Sequence, residues 1–390
     1  VTTYSSVVNN FVKLKCTTPT AGTYLSEVDN TYFSAATIWG VQNSIPGYPP
    51  LIRVIKYDPV NDVIYIGGYF DRYRGVQCTR NLIRIIASTG AIDPTFNGLS
   101  QAGIAHTLGL NGSRAGVHDI QIDGNGKIVV AGCFSRVYFF PVVSVLCSHI
   151  IRLNYDGTQD TSFAVSQLGN TGFPQYIVAN NPSNDYSGLE TICISNDGSD
   201  DIYAGGAFYA FKNQSRRCIV KIKNNGDIAP LPEFNPGTGF SNAWYKPVDS
   251  YGFQTGATVS IDDVVINKII YQNDKLLVGG NFGLYNGTVV NALLRMDAYG
   301  VIDPTFTKDT LTYIPITTTT TVRRVVYDIK VTNTGNILIA GALTAYLSTA
   351  NTNHYYVLGA NGNVVYGANM TTPGLSPYGD YAFRISTYEI

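Results

Sequence analysis

Apolar and polar residues along this chain alternate in short runs, and nowhere recur at helical spacing over a long stretch. The segments VHDIQID (117–123), ETICIS (190–195) and VVYDIKV (325–331) have the period-two pattern of half-buried strands. Each strand is followed by a turn or a further run. DGNGK (123–127) and NTGN (333–336) are built from the residues that favour tight hairpin turns. A second apolar run then ends in a glycine pair and an aromatic residue, as in VIYIGGYF (63–70), IYAGGAF (202–208) and LLVGGNF (276–282). Two variants, VVAGCF and LIAGAL, have alanine in place of the first glycine.

Aligned on the first residue of the pair, the anchors are Gly67, Ala131, Gly205, Gly279 and Ala340, at intervals of 64, 74, 74 and 61 residues. The second residue of each pair is Gly68, Gly132, Gly206, Gly280 or Gly341. A missing Cβ there permits a bulge or a close backbone approach. After a variable loop comes a third run: NLIRI (81–85), HIIRL (149–153), CIVKI (218–222), ALLRM (292–296) and HYYVL (354–358). A basic residue holds one register in four of these, Arg84, Arg152, Lys221 and Arg295, and Val357 replaces it in the fifth. An Asp and a Phe three residues apart follow in three copies, as Asp93 and Phe96, Asp160 and Phe163, and Asp303 and Phe306. A residue that recurs in every unit serves the unit, so this set reads as structural: Asp caps a turn, Phe fills the gap between units, and the basic side chain pairs with a carboxylate.

Units of this kind cannot bury both faces alone. Repeated β-meanders stack most naturally into a propeller, which leaves few exposed edges. The prediction is an all-β chain, a β-propeller of five recognisable repeats, with blades at about 52–98, 117–168, 189–238, 261–310 and 325–370. Residues 1–51 form an N-terminal segment that closes the ring or attaches it to a partner. The alternating tail at 371–390 is a closing strand, and closure can add a sixth blade.

Composition supports the β reading. Charged residues make up 14 %, aromatics 12 %, and 28 tyrosines with 39 glycines suit many short strands and tight turns. A net charge of −1 with no basic cluster longer than a pair argues against a nucleic-acid partner. The most apolar stretch, VYFFPVVSVLC (137–147), contains a proline and falls well short of the roughly 20 residues of a membrane helix. No membrane span is expected. The chain begins at Val1 without a signal region, which reads as a processed or trimmed product. Six cysteines form no metal-ligand spacing. Cys133 and Cys147, at the end of one run and the start of another, are candidates for a disulfide if those runs form a hairpin. The alternative is buried thiols.

The order G-G-x-F, a strand carrying Arg, a D-G-like turn and D-x-x-F resembles the delta-60 repeat family of β-propellers. Residues 64–98 and 276–306 carry the resemblance best. It extends over most of 52–370 and weakens in the last copy. The resemblance implies a propeller of secreted or surface bacterial proteins and of bacteriophage particles, without a known catalytic site. Kelch propellers share the glycine doublet, but their downstream Tyr and Trp pattern is missing.

Chemistry is sparse. Asp119, Glu190, Asp262, Asp263 and Asp328 lie near the starts of first strands, where a carboxylate pair at a channel mouth can hydrolyse glycosides; the alternative is a set of solvated polar groups. His106, His118, His149 and His354 are scattered, without metal-binding spacing, and no nucleophile elbow or phosphate loop is present. No cofactor or metal is expected. The insertions at 164–188 and 237–260 mix aromatic and short polar residues, the vocabulary of adaptable binding loops and sugar-binding surfaces. Tyr176, Trp244, Tyr245 and Tyr251 are the candidate binding residues there, with coverage of their own blade edges as the alternative.

The sequence reading is therefore of a non-enzymatic propeller, a structural and interaction module of an extracellular assembly, foremost a bacteriophage virion. Its partners are other structural proteins of that assembly and a host-surface glycan or protein. A secreted or cell-surface glycan-binding propeller is the alternative, followed by a propeller glycoside hydrolase.

Overall fold

A computed structural model of the chain describes residues 8–9, 14–17, 25–28, 39–44, 50–105, 116–141, 143–147, 149–163, 188–208, 210–212, 214–241, 264–306, 325–342 and 355–367. All regular structure among them is strand, and the alternating runs form five meander sheets. The first sheet contains Leu51–Asp58, Val63–Tyr69 and Leu82–Ile86, and the second Gly116–Ile122, Ile128–Cys133 and Ile150–Leu153. The third contains Gly188–Ile194, Ile202–Ala207 and Ile219–Ile222, and the fourth Val265–Gln272, Lys275–Asn281 and Leu293–Asp297. The fifth contains Val325–Val331, Ile337–Ala342, Tyr355–Leu358 and a fourth strand, Val364–Gly367. In the other sheets a single bridge holds the fourth-strand place, for example Ile85 with Ile92 and Met296 with Ile302.

The glycine pair has a geometric cause. In the first, second, fourth and fifth sheets the first strand carries a β-bulge directly opposite it: Ile52 pairs with Gly68 and Val54 with Gly67, and likewise Ile266 with Gly280 and Lys268 with Gly279. The extra residue bends the strand and brings its backbone over the second glycine. A Cβ on Gly68, Gly132, Gly280 or Gly341 would lie 1.9–2.1 Å from a carbonyl oxygen of that strand. The first glycine answers to a different neighbour. A Cβ on Gly67 would meet Val117 of the next blade at 2.5 Å, and one on Gly279 would meet Val326 at 2.5 Å.

The third strand opens in the same way in each of the first four blades. Asn81, His149, Cys218 and Ala292 all have φ of +66°. The carbonyl of each accepts from the second glycine of its pair, and the N–H of each donates to the carbonyl of Phe70, Phe134, Phe208 or Phe282. The G-G-x-F motif thus ties off the excursion between middle and third strands. That excursion is itself a small hairpin, built from Arg72–Tyr73 and Val76–Gln77 in the first blade and from Arg136–Phe139 and Val143–Leu146 in the second. The third blade uses Ala210–Phe211 and Gln214–Ser215, and the fourth uses Leu284–Tyr285 and Thr288–Val289. A strand that precedes the blade pairs with three of these hairpins: Trp39–Gln42, Leu99–Ala105 and Phe240–Ser241.

Two compact units divide the chain, residues 1–189 and 190–390. In the first, Tyr65, Leu82 and Phe96 of one blade form a continuous core with Val117, Ile120, Val130 and Ile151 of the next. In the second, Tyr203, Ile219 and Phe234 pack with Ile266, Ile269 and Leu294, and Leu277, Leu293 and Phe306 pack with Val326, Ile339 and Tyr356. The core therefore lies between blades, where each fully buried large apolar side chain contributes about 1.5–3 kcal/mol.

Cys133 and Cys147 are not joined in a disulfide; both are buried thiols. The runs they bound, Ile128–Cys133 and Ile150–Leu153, pair antiparallel, but the hairpin of Arg136–Phe139 and Val143–Leu146 is inserted between them. That hairpin sets Cys147 across from Ser135, whose carbonyl accepts its N–H at 3.0 Å, while Cys133 pairs with Gly116. Burial pushes the Cys78 and Cys218 thiols up to about 12.

Candidate functional site

Among the described residues the recurring Arg, Asp and Phe residues form the best-defined polar constellation. Arg84 is buried, and its Nε donates to Asp93 Oδ2 at 2.9 Å while Nη2 donates to Thr95 Oγ1 at 2.7 Å. Asp93 Oδ1 accepts from the Thr95 N–H at 2.9 Å and from its hydroxyl at 2.7 Å. The guanidinium lies over Phe96, 4.9 Å from the ring centroid. Arg152, Asp160, Ser162 and Phe163 repeat the arrangement, as do Arg295, Asp303, Thr305 and Phe306. Aspartate two residues before Thr or Ser makes a local side-chain turn, which places its second oxygen towards the strand that carries Arg.

In the first and fourth blades the set holds the next blade. Arg84 Nη1 donates to the Tyr155 carbonyl at 2.5 Å, and Arg295 Nη1 donates to the Ala360 carbonyl. Both acceptors sit three residues past the basic-residue register of the following unit, in the turn that leaves its third strand. Phe96 and Phe306 lie against the glycines of those turns, Gly157 and Gly362, where a Cβ would come within 3.0 Å and 2.9 Å of the rings. In the third blade Lys221 has no planar fork with which to repeat this. It pairs with Asp201 at 3.2 Å, and Tyr203 takes over, donating its hydroxyl to the Ala298 carbonyl at 3.1 Å. Removing that hydroxyl by Tyr203→Phe is expected to cost about 1 kcal/mol, read as a lowered urea midpoint; no change would show that the bond is replaced by water.

Burial opposes ionisation of Asp303, but the bonds from Thr305 and Arg295 outweigh it and hold the carboxyl down at about 2. Asp93 and Asp160 are lowered against burial in the same manner, Asp160 with the added hydrogen bond from Lys127. Carboxyls depressed in the folded state give stability that is complete above the unfolded value of about 3.9 and lost as pH falls through the folded one. Unfolding free energy should therefore be level near neutrality and drop steeply between about pH 4 and pH 2. A urea midpoint that stays flat across that window would remove these aspartates from the account.

Two of the five candidate catalytic carboxylates have local duties. Asp119 and Asp328 are buried immediately after the bulges, and each accepts the N–H of the following residue, Ile120 at 2.9 Å and Ile329 at 3.0 Å. A bulge leaves a ladder group without its cross-strand partner, and here the carboxylate supplies an acceptor. The same register is Val54 in the first blade and Lys268 in the fourth. Glu190 is half-buried on Gly188–Ile194. Asp262, Asp263, Tyr176, Trp244, Tyr245, Tyr251, His106 and His354 lie outside the described residues. Among the described residues no group of three metal-ligating side chains converges. His149 uses Nδ1 to meet the Gly132 carbonyl at 3.2 Å.

Residues 124–163 and 272–306 match a family model described as a domain of unknown function (DUF5122) β-propeller. The fold is a β-propeller. Each matched stretch runs from the turn before the middle strand to the phenylalanine of D-x-x-F, so it contains the Arg, Asp and Phe registers of its blade. Among solved structures, PorZ, a bacterial surface component of the type-IX secretion system of Porphyromonas gingivalis, aligns at 11 % identity and a TM-score of 0.44, over 90 % of this chain and 37 % of PorZ. The WD40 β-propeller domain of Doa1 aligns at 10 % identity and a TM-score of 0.41, over 90 % of this chain and 73 % of that one. A protein from Lactobacillus plantarum aligns at 14 % identity and 0.40, over 90 % and 75 %. The chain spans little more than a third of PorZ. No curated protein matches the sequence.

The sequence pattern identified the Arg, Asp and Phe positions and their structural role. It missed the backbone carbonyls of Tyr155, Ala298 and Ala360, because a main-chain acceptor leaves no residue signature. The Thr or Ser two residues after Asp was visible in DPTF and DTSF, and it belongs to the set.

Proposed function

We propose that this chain is a non-enzymatic β-propeller, a rigid interaction module of an extracellular assembly, with a bacteriophage virion as the first setting to test. The observation that supports it is the use of its recurring charged groups. Arg84, Arg152, Arg295 and their aspartates are committed to holding a blade or its neighbour, and Asp119 and Asp328 are committed to bulges. A propeller whose polar repeats are spent on rigidity offers its loops and hairpins as the variable surface. The virion setting comes from the resemblance to delta-60 repeats.

A cryo-electron microscopy map of the native particle or extract tests this reading. Symmetric copies at fixed stoichiometry, docked through one face or through residues 1–51, are the expected result. Turnover of a glycoside by the purified chain, abolished by Asp119→Asn or Glu190→Gln, would overturn it. Sugar binding lost in Trp244→Ala without turnover would move the assignment to a glycan-binding propeller.

A further inference from the structure

The basic register of the third strand is arginine in the first, second and fourth blades and lysine in the third. A guanidinium stays charged, whereas a lysine amine can lose its proton and become a nucleophile. The third blade gathers a second lysine and two carboxylates around that position. Asp201, directly before Ile202–Ala207, is only 2 % exposed. Its Oδ2 lies 3.2 Å from Lys221 Nζ and 3.0 Å from Lys223 Nζ. Its Oδ1 accepts the Asn224 N–H at 3.1 Å. Lys223 Nζ also donates to Glu233 Oε2 at 2.8 Å, so one amine stands between two carboxylates. Lys127 and Lys275 approach Asp160 and Asp303 as well, but an arginine Nε holds the same oxygen. Among the described residues neither of those amines meets a second carboxylate.

We propose that Lys223 and Asp201 condense to a side-chain amide, a covalent link between the entry of the middle strand and the exit of the third, with Glu233 as the base. Each part that such a condensation needs is in place. Glu233 takes a proton from Lys223 Nζ, the free amine attacks Asp201 Cγ, and negative charge gathers on Oδ1, where the Asn224 N–H already points. Hydrogen bonds to Glu233 and Asp201 hold the Lys223 ammonium above the ordinary lysine value, so the amine is free only while Glu233 keeps its proton. Lys221 stands on Oδ2, the leaving oxygen, and protonates it. The Nζ–Cγ bond forms as the Cγ–Oδ2 bond breaks. Both protons lost by the Lys223 ammonium end on Oδ2, which departs as water. Glu233 and Lys221 finish in their starting states, and nothing is oxidised or reduced. Bulk water favours hydrolysis, but well-placed intramolecular partners reach effective molarities of about 10⁵–10⁸ M, and burial of Asp201 keeps water from the product.

The inference goes beyond the interaction-module reading and does not depend on it: the particle map bears on that reading, and a mass bears on this one. The full chain is measured by intact-mass spectrometry as purified and through a long incubation, beside Lys223→Arg and Glu233→Gln. Wild type should be lighter than its sequence by one water. Trypsin should leave it uncut after Lys223, with the peptide that contains Asp201 attached there. Lys223→Arg keeps the charge but cannot be acylated in this way, and it should have its full sequence mass and an unchanged far-ultraviolet spectrum. Glu233→Gln should form the link at least about 100-fold more slowly, the usual contribution of a positioned base. A wild-type chain that keeps its full sequence mass would overturn the link and leave an ion-pair cluster. A lost water that persists in Lys223→Arg, or that maps to another side chain, would overturn it too. Linking in Glu233→Gln at the wild-type rate would refute the base.

Discussion

Arg84→Ala is expected to lower the unfolding free energy by about 3–5 kcal/mol, the range for removing one partner of a buried ion pair. The guanidinium is 1 % exposed and is held by Asp93, Thr95, Tyr65 and the Tyr155 carbonyl, with the rings of Phe96 and Tyr155 at 4.9 and 4.1 Å. Truncation leaves the Asp93 carboxylate buried without its counter-ion and the Tyr155 carbonyl without its donor. The pair and its parts can be separated. Asp93→Asn in the alanine background should recover part of the loss, because the uncompensated charge is gone, while the cavity and the lost contact with the next blade persist. Arg84→Lys should fall between wild type and alanine, since a single ammonium cannot serve Asp93, Thr95 and Tyr155 together. Equilibrium urea unfolding reads all three. A loss below about 1 kcal/mol for Arg84→Ala would place the site among surface ion pairs and refute the lock.

Gly280→Ala should cost more than about 3 kcal/mol, beyond the usual penalty of overpacking, because its obstacle is backbone. The added Cβ would stand 2.1 Å from the Val265 carbonyl oxygen and 2.9 Å from Ile266 Cα, and no rotamer change moves either atom away. Relief would require opening the bulge and stretching the bond from the Gly280 N–H to the Ala292 carbonyl, 3.0 Å in the native chain. Gly279→Ala is the control. Its Cβ would meet Val326 Cγ1 at 2.5 Å and Ile329 Cδ1 at 2.9 Å, both of them side-chain ends that can turn. The chain itself carries alanine at that register as Ala131 and Ala340. The expected cost is about 1–2 kcal/mol. Thermal melts of the two variants should separate clearly, and equal midpoints would disprove the distinction between the two glycines.

The parts of the fold that repeat were readable from the sequence. Period-two runs, the G-G-x-F anchor and the Arg, Asp and Phe registers recur often enough to be aligned within one chain, and each marks a real strand or contact. The small hairpins were not readable. A two-residue strand such as Thr288–Val289 has no periodicity to detect, and its pairing depends on a turn and on a strand from before the blade. That missing hairpin is also why Cys133 and Cys147 looked like neighbours. The left-handed residue at the third-strand start was hidden for another reason. Asn81, His149, Cys218 and Ala292 share a conformation without sharing a residue type, since the hydrogen bonds on either side impose it. Of the candidate site, the carboxylates at 119 and 328 were correctly placed on first strands, but their work for the bulge required knowing that the bulge existed.

The grip of one blade on the next has a consequence for how such chains grow. Arg84 and Arg295 reach main-chain oxygens, and the residues that present them, Tyr155 and Ala360, have nothing in common as side chains. Tyr203 reaches the equivalent oxygen of Ala298 from a different starting point. For this polar contact the receiving blade needs only the turn and its glycine, so the residue that presents the oxygen can change without breaking the bond. A duplicated or transplanted repeat would arrive with the polar half of its socket already formed, leaving the apolar packing between blades as the part to which the copies must adapt.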